Sequence, residues 1–278
     1  MCALIAMAVH DTEENKRSDM TRQTLDSLLQ TVDFTKHRLV ISDNGSCEDT
    51  QNLYQQFAND FKDVYGHHKY AGLTANFPVL ISNGTNLGTA MAINHALHRR
   101  DLGEHCIKID NDVIIHHTGW VDMMEEAISK DPRIGIIGLK RKDLIQYPGH
   151  PDPNFNSELL LLPHNPYDKW LIVERTNDIM GTCTMFNSAL LDKVGYSWQP
   201  GLYGFEDNLF CHRSHLAGFY NCFLHGVEID HIDPGGTDYQ RWKEKHSGEQ
   251  WNAYNRVVKE MIEGKRSIYY NPFENTTA

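Results

Sequence analysis

The run CIKIDNDVII, Cys106 to Ile115, sets an apolar, β-branched segment against three polar residues, Asp110, Asn111 and Asp112. Side chains along a strand point the same way at every second residue, so a strand continuing through this run turns Asp110 and Asp112 to one side. Two carboxylates at a strand's exit can seat a divalent cation. Mg²⁺ and Mn²⁺ favour carboxylate oxygens and fill their other positions with water and substrate phosphates. Asp-x-Asp alone is a common pattern, equally compatible with an acidic turn that holds nothing. The elements around it must decide.

Those elements alternate. Ala3 to Val9 is a short apolar run without polar alternation, as in a strand buried on both faces. A helical pattern follows, with Leu25, Leu28, Leu29 and Val32 on one side, then a strand from Arg38 to Ser42 that ends in the turn Asp43-Asn44-Gly45-Ser46. Asp49 to Phe61 reads as a helix, residues 64–76 as an irregular loop and Phe77 to Ser82 as a third strand. Asn86 and Gly88 lead into a helix carrying Met91, Ile93, Ala96 and Leu97. The central run comes next, then a helix from about Thr118 to Lys130 and a strand from Arg133 to Leu139. Strands and helices alternating at this spacing predict an α/β fold with a Rossmann-like, mainly parallel sheet flanked by helices.

Beyond Leu139 the pattern changes. Residues 140–168 hold five of the ten prolines and few periodic apolar positions, which predicts a long surface excursion serving as a lid or acceptor site. Strands follow at Lys169 to Val173, Asp178 to Phe186 and Phe219 to His231, with helices at Ser188 to Val194 and from Glu206 to about Ala217. From Gly248 onward Trp251, Tyr254, Val258 and Met261 mark one face of a terminal helix that packs on the domain. The expected division is a catalytic domain over 1–236, in halves 1–115 and 116–236, and a helical extension over 237–278.

A chain of 278 residues with 40% hydrophobic content can bury a sizeable core. Its formal charge of -11 disfavours broad binding to nucleic acid or anionic membranes, although Lys140-Arg141-Lys142 could form a local basic patch. The six cysteines are scattered without a CxxC pair, which fits a reduced compartment better than a disulfide scaffold or zinc site. The chain begins on a strand-like run rather than a basic leader, and no apolar stretch approaches the roughly 18 residues that span a bilayer. A soluble, cytoplasmic protein is expected.

Open parallel sheets bind ligands at the carboxyl ends of their strands. On the strand assignments above, His10, Asp43, Asn86 and Asp110 to Asp112 all lie at such ends, so one crevice can gather them. Glu206-Asp207 at a helix start and His231 before a Gly-rich turn add further polar groups. Neither a Gly-x-Gly-x-x-Gly fingerprint nor a P-loop is present, so ligand phosphates would need a metal to neutralise them.

Seven segments, LDSLLQT, ISDNGS, NLGTAMAINHAL, KIDNDVI, GTCTMFNSALLDKVGY, FEDNLFCHRSHLAGF and HIDPGG, follow one another in the order of the family 2 glycosyltransferases, which have the glycosyltransferase A fold. The chain resembles that family over roughly residues 3–236. The resemblance implies a soluble, metal-dependent, inverting enzyme that moves one sugar from a nucleoside diphosphate sugar, with a UDP-sugar as first choice, to an acceptor hydroxyl. It implies that Asp43 binds the base, with Ala8 and His10 in the same pocket, and that Asn86 serves the nucleotide or orders its loop. Asp110 would face the ribose or a metal-bound water, with Asn111 beside it in the donor site. Asp112 would bind the metal, Mn²⁺ or Mg²⁺, and His231 would complete its shell or touch a phosphate, with His225 as competitor. Asp207 would be the catalytic base and Glu206 would bind an acceptor hydroxyl or orient the base.

Each role has a plainer counterpart. Asp43 can be a turn-forming residue, Asn86 a helix cap, and Glu206 and Asp207 favourable charges at a helix N-terminus. The chain also departs from the family. Leu209 stands where many relatives carry another aspartate, and the Gln-x-x-Arg-Trp motif of processive polymerases is absent, so single transfers are expected. A nucleotidyltransferase should carry a Gly-rich basic loop after the first strand, which AMAVHDTEENK lacks. A catalytically inactive sugar-binding module of the same fold would not need Asp110, Asp112, Asp207 and His231 together. The acceptor stays open among a glycan precursor, a protein, a small molecule and a modified DNA base.

Overall fold

The computed structural model describes residues 2–66, 75–145, 158–164, 169–234 and 238–274. Strands β1 (Ala3–Val9), β2 (Arg38–Asp43), β3 (Val79–Ser82) and β4 (His105–Ile109) lie parallel in the spatial order β3-β2-β1-β4. Helices α1 (Ser18–Thr31), α2 (Glu48–Tyr65) and α3 (Thr89–Leu97) connect them. β1 lacks polar alternation because both of its faces are covered. Ala3, Ile5, Met7 and Val9 share a core with Leu25, Leu28, Phe57 and Phe61, while Leu4 and Ala6 pack with Ile93, Ala96 and Leu97. The register pairs Val9 with Asp43 and Met7 with Ile109, which brings the carboxyl ends of β1, β2 and β4 level.

The second half adds β5 (Val113–Ile115), α4 (Trp120–Lys130), β6 (Ile134–Arg141), α5 (Lys142–Ile145), β7 (Glu158–His164) and β8 (Lys169–Thr176). Then come β9 (Cys183–Phe186), α6 (Ser188–Val194), α7 (Glu206–Leu216), β10 (Tyr220–His231) and α8 (Asp238–Ile262). One ten-stranded sheet runs β3-β2-β1-β4-β9-β6-β10-β8-β7, with β5 paired to β10. It is parallel from β3 to β4 and mixed beyond. β9 is antiparallel to both β4 and β6, β6 and β10 are parallel, and the β10-β8-β7 edge is antiparallel.

Three sequence expectations change. The run from Cys106 to Ile115 is two strands, because the Asp110 N–H donates to the Thr182 carbonyl (2.9 Å) and the Ile232 N–H donates to the Asp112 carbonyl (2.9 Å). The chain thus leaves β4 and re-enters the sheet as β5, antiparallel to β10, so Asp110 and Asp112 have different surroundings instead of sharing one strand face. The excursion over 140–168 contains regular structure: β6 continues to Arg141, α5 follows, and β7 pairs with β8 by turning Leu160 and Leu162 toward the core side, where Leu162 packs with Leu171 and Val173. Residues 146–157 and 165–168, the rest of that expected lid, lie outside the described residues, as does most of the expected loop at 64–76.

α8 starts at Asp238, ten residues earlier than the apolar pattern indicated. Its Val257 and Met261 bury Leu209, and its Tyr254 stacks on Phe205 with ring centroids 4.5 Å apart. Leu209 is therefore an apolar contact, on the face of α7 that α8 covers.

Candidate active site

The level strand ends open into a cleft of about 690 Å³. Ala8, Val9 and His10 come from the end of β1, Asn86 and Thr89 from the start of α3, and Asp110 to Asp112 from the β4–β5 break. Gly181 and Thr182 precede β9, Glu206 and Asp207 open α7, and His231 ends β10. Trp242, Lys243 and Glu244 of α8 close one side, so the cleft extends beyond residue 236.

Asp112 is buried on the acidic wall. The β5–β10 pairing sets Val113 opposite His231, which brings His231 Nε2 within 3.4 Å of Asp112 Oδ2. Arg17 Nη2 binds the same oxygen, and its Nη1 reaches Asp233 Oδ2 at 3.0 Å. Burial opposes charge on Asp112, but His231, Arg17 and Lys243 hold its carboxyl well below the usual range. Its other oxygen, Oδ1, is buried without a hydrogen-bond partner among the described residues. A buried carboxylate oxygen left open is costly unless something binds it. With the His231 imidazole beside it, it offers two donors of the types that Mn²⁺ or Mg²⁺ accepts, the remaining positions falling to water and phosphate oxygens.

The opposite wall is organised by Lys108, a residue the motif analysis passed over. Its Nζ donates to the Gly181 carbonyl at 2.6 Å and contacts Asp110 Oδ1 at 2.9 Å and Glu206 Oε1 at 3.5 Å. Burial opposes its charge, yet Asp110, Glu206 and Asp207 raise its pKa above the ordinary lysine value. Burial also pushes Asp110 up, against the pull of Lys108, and raises Glu206 to about 7. The signal was in the sequence: a lysine inside the apolar strand CIKI is buried only if paired. Asp207 Oδ2 accepts from the Gly181 N–H at 3.0 Å, and its Oδ1 from the Asn208 N–H at 2.8 Å. Gly181 leaves room for this close approach, since a Cβ there would lie 2.6 Å from Lys108 Nζ and force the lysine's end to shift. Phe205, held at φ +69° and stacked under α8, turns the chain so that α7 presents Glu206 and Asp207 to the cleft.

Several solved structures share this fold. The mannosyltransferase PcManGT from Pyrobaculum calidifontis, in complex with GDP-Man and Mn²⁺, matches with TM-score 0.59 at 17% identity, over 86% of this chain and 59% of that one. TarS of S. aureus in complex with UDP matches with TM-score 0.56 at 18% identity, over 82% of this chain and 60% of that one. GalNAc-T7 with UDP, GalNAc and Mn²⁺ matches with TM-score 0.57 at 14% identity, over 84% and 44%. The chain has the glycosyltransferase A fold. It spans less than two thirds of each of these neighbours, and at such identities the likeness is one of fold. No protein-family model and no curated protein sequence matches the chain.

Within this glycosyltransferase A fold most of the expected donor-site residues line the cleft, but not all of them face it. Ala8 and His10 do, with His10 Nδ1 3.0 Å from the Asn44 carbonyl. Asn86 lines the cleft and also orders its loop, accepting from the Gly88 N–H at 2.9 Å. Gly88, at φ +83°, packs where a Cβ would strike Gln199 and Leu202. Asn111 lines the cleft with its amide engaged elsewhere, donating to Asp11 Oδ1 at 2.9 Å and Thr21 Oγ1 at 2.7 Å. Asp43 stands behind the wall. Its buried carboxylate accepts from Tyr54 OH (3.1 Å), Gln51 Nε2 (3.0 Å) and the Ser46 N–H (3.3 Å), so the turn-forming role is the one visible here. His225, the competitor of His231, is exposed and outside the cleft.

Seven carboxylates and four cationic side chains line the cleft, an excess of negative charge that would repel a diphosphate without an added cation. Among the described residues, the three metal-ligand side chains gathered closely enough to share one ion are His37, Asp122 and Glu125, at the other end of β2. There the Ala3 N–H donates to His37 Nδ1 at 3.2 Å, which leaves the ring proton on Nε2, facing Asp122 at 3.5 Å. Burial lowers the His37 pKa, keeping the ring neutral. A ring in that tautomer offers an ion no lone pair.

Proposed function

We propose that this chain is a metal-dependent, inverting glycosyltransferase of the family 2 type, transferring one sugar from a nucleoside diphosphate sugar to an acceptor hydroxyl. The observation that carries the reading is the pairing of two walls across one cleft: Asp112 with its open, buried oxygen beside His231, and Asp207 presented at the start of α7. The bound nucleotides and Mn²⁺ of the structural neighbours support a nucleotide-sugar donor. A UDP-sugar is the first choice, with GDP as the comparison.

Asp112 and His231 would hold a divalent ion, which would supply counter-charge to a leaving diphosphate. Ala8, His10, Asn44 and Asn86 line the nucleoside end of the cleft. Asp207 takes the proton of the acceptor hydroxyl as that oxygen bonds to the anomeric carbon, and the bond from that carbon to the diphosphate oxygen breaks with its electron pair leaving on the nucleoside diphosphate. One displacement inverts the anomeric centre. The Gly181 and Asn208 amides keep Asp207 aimed, and Glu206 meets an acceptor hydroxyl.

The catalytic unit is residues 1–236, with 237–278 as an extension that completes the cleft wall. No helix of the described residues is long and apolar enough to cross a membrane, all six cysteines are free thiols, and we place the protein in the cytoplasm. Calorimetric titration of UDP and of GDP, each with Mn²⁺ and with EDTA, tests the donor site on the wild type and on Asp112→Ala. Metal-dependent binding lost in the variant is expected. No binding of either nucleotide under any condition would remove the enzyme reading.

A further inference from the structure

Arg17 sits where the chain turns from β1 into α1. The residue before it, Lys16, holds φ +50°, a left-handed conformation that non-glycine residues adopt only when their surroundings impose it. That turn delivers Arg17 into the cleft with 5% of its side chain exposed. Its guanidinium bridges two carboxylates, Asp112 through Nη2 and Asp233 through Nη1 at 3.0 Å. Lys243 of α8 reaches the same Asp233 oxygen at 2.9 Å.

Two carboxylates and two cations thus meet directly beside the open Asp112 Oδ1. A divalent ion arriving alone would add two positive charges within a few ångströms of Arg17 and Lys243, where water screens little. It is held only if those cations withdraw or anions arrive with it. A donor diphosphate brings the anions, and a guanidinium matches two phosphate oxygens at once.

We propose that Arg17, with Lys243, holds the cation position of the donor-free protein and moves to the donor diphosphate when metal and donor load together. The inference rests on the metal-dependent reading above. It makes metal and diphosphate binding mutually dependent, each weak without the other.

The test follows free Mn²⁺ by electron paramagnetic resonance, alone and with UDP or inorganic pyrophosphate, in wild type, Arg17→Met and Lys243→Met. Arg17→Met is expected to bind Mn²⁺ alone about tenfold more tightly than wild type, and UDP or pyrophosphate at saturating Mn²⁺ about tenfold more weakly. Lys243→Met shifts both affinities the same way, and carries the test if Arg17→Met does not fold. Mn²⁺ affinity unchanged or lowered in a folded variant, with wild type still binding Mn²⁺ and a diphosphate together, overturns the inference alone. Failure of wild type to bind Mn²⁺ even with UDP or pyrophosphate removes the metal reading and the inference with it.

Discussion

His231 Nε2 stands 3.4 Å from Asp112 Oδ2 because Val113 on β5 and His231 at the end of β10 are register partners. The backbone pairing fixes where both residues leave the chain, so the two form one preformed donor pair. Asp112→Ala and His231→Ala should each weaken Mn²⁺-dependent nucleotide binding by about 10²-fold, at least the loss seen when mere supporting partners of ligands are removed. Binding measured in EDTA should change little. Calorimetry reads both, and equal losses with and without metal would mean that the pair only shapes the cleft.

Lys108 is the buried cation between Asp110 and Glu206. Lys108→Met leaves those carboxylates facing each other without it, and breaking a buried ion pair on one side costs about 3–5 kcal/mol. The loss should be smaller at pH 5 than at pH 8, because Glu206, raised to about 7, is neutral at the lower pH. Urea unfolding at the two pH values checks this. A loss independent of pH would place the cost in packing rather than charge.

Glu206 gives the sign of a pH effect by itself. Its folded pKa of about 7 lies above the ordinary glutamate value of 4.5, so the folded state binds the proton more tightly than the unfolded chain. Its contribution is fully present below pH 4.5 and is lost as pH rises through about 7. Glu206→Gln cannot ionise, so between pH 5 and pH 8 the wild type should lose roughly 1–3 kcal/mol relative to the variant. Parallel stability curves for the two proteins would sink the assignment.

Gly181→Ala should cost about 1–3 kcal/mol, the usual penalty of an added methyl group in a packed site. The new Cβ would meet Lys108 Nζ at 2.6 Å and Asp207 Cβ at 3.2 Å. Because the displaced groups are Asp207 itself and the Lys108 ammonium beside it, transfer should fall more than donor binding does. Equal activity in the variant would show that the wall yields without consequence.

The sequence carried the periodic part of this architecture best. Ala3–Val9, the α3 helix and the β4 run are legible because apolar spacing reports burial directly. The β4–β5 break was not legible, since it depends on Asp110 and Asp112 meeting Thr182 and Ile232, residues some 70 and 120 positions away along the chain. Arg17 and Asp233 were missed for the same reason: each looks like an ordinary turn residue until Asp112 is placed between them. Lys108 was the readable omission. A charged residue in a strand buried on both faces demands partners, and acidic ones were two residues away in the sequence.

Asp43 divides the two kinds of reading. The family resemblance assigns it to the nucleotide base, whereas its carboxylate here is saturated by Tyr54, Gln51 and the Ser46 amide behind the cleft wall. An asparagine keeps one acceptor oxygen for Ser46 and Gln51, but it carries no charge and turns an NH2 toward the Tyr54 hydroxyl, which loses its acceptor. Hydrogen bonds to charged groups contribute about 1.5–3 kcal/mol each, and Asp43→Asn should therefore destabilise the fold by roughly 2 kcal/mol. Nucleotide affinity in the folded variant should fall by less than about threefold, because the cleft-facing groups Ala8, His10 and Asn86 stay in place. Chemical denaturation and calorimetry on the same preparation separate the outcomes. An affinity loss beyond about tenfold with stability unchanged would return Asp43 to the base-binding role, since 1.4 kcal/mol of contact to the ligand would then be at stake.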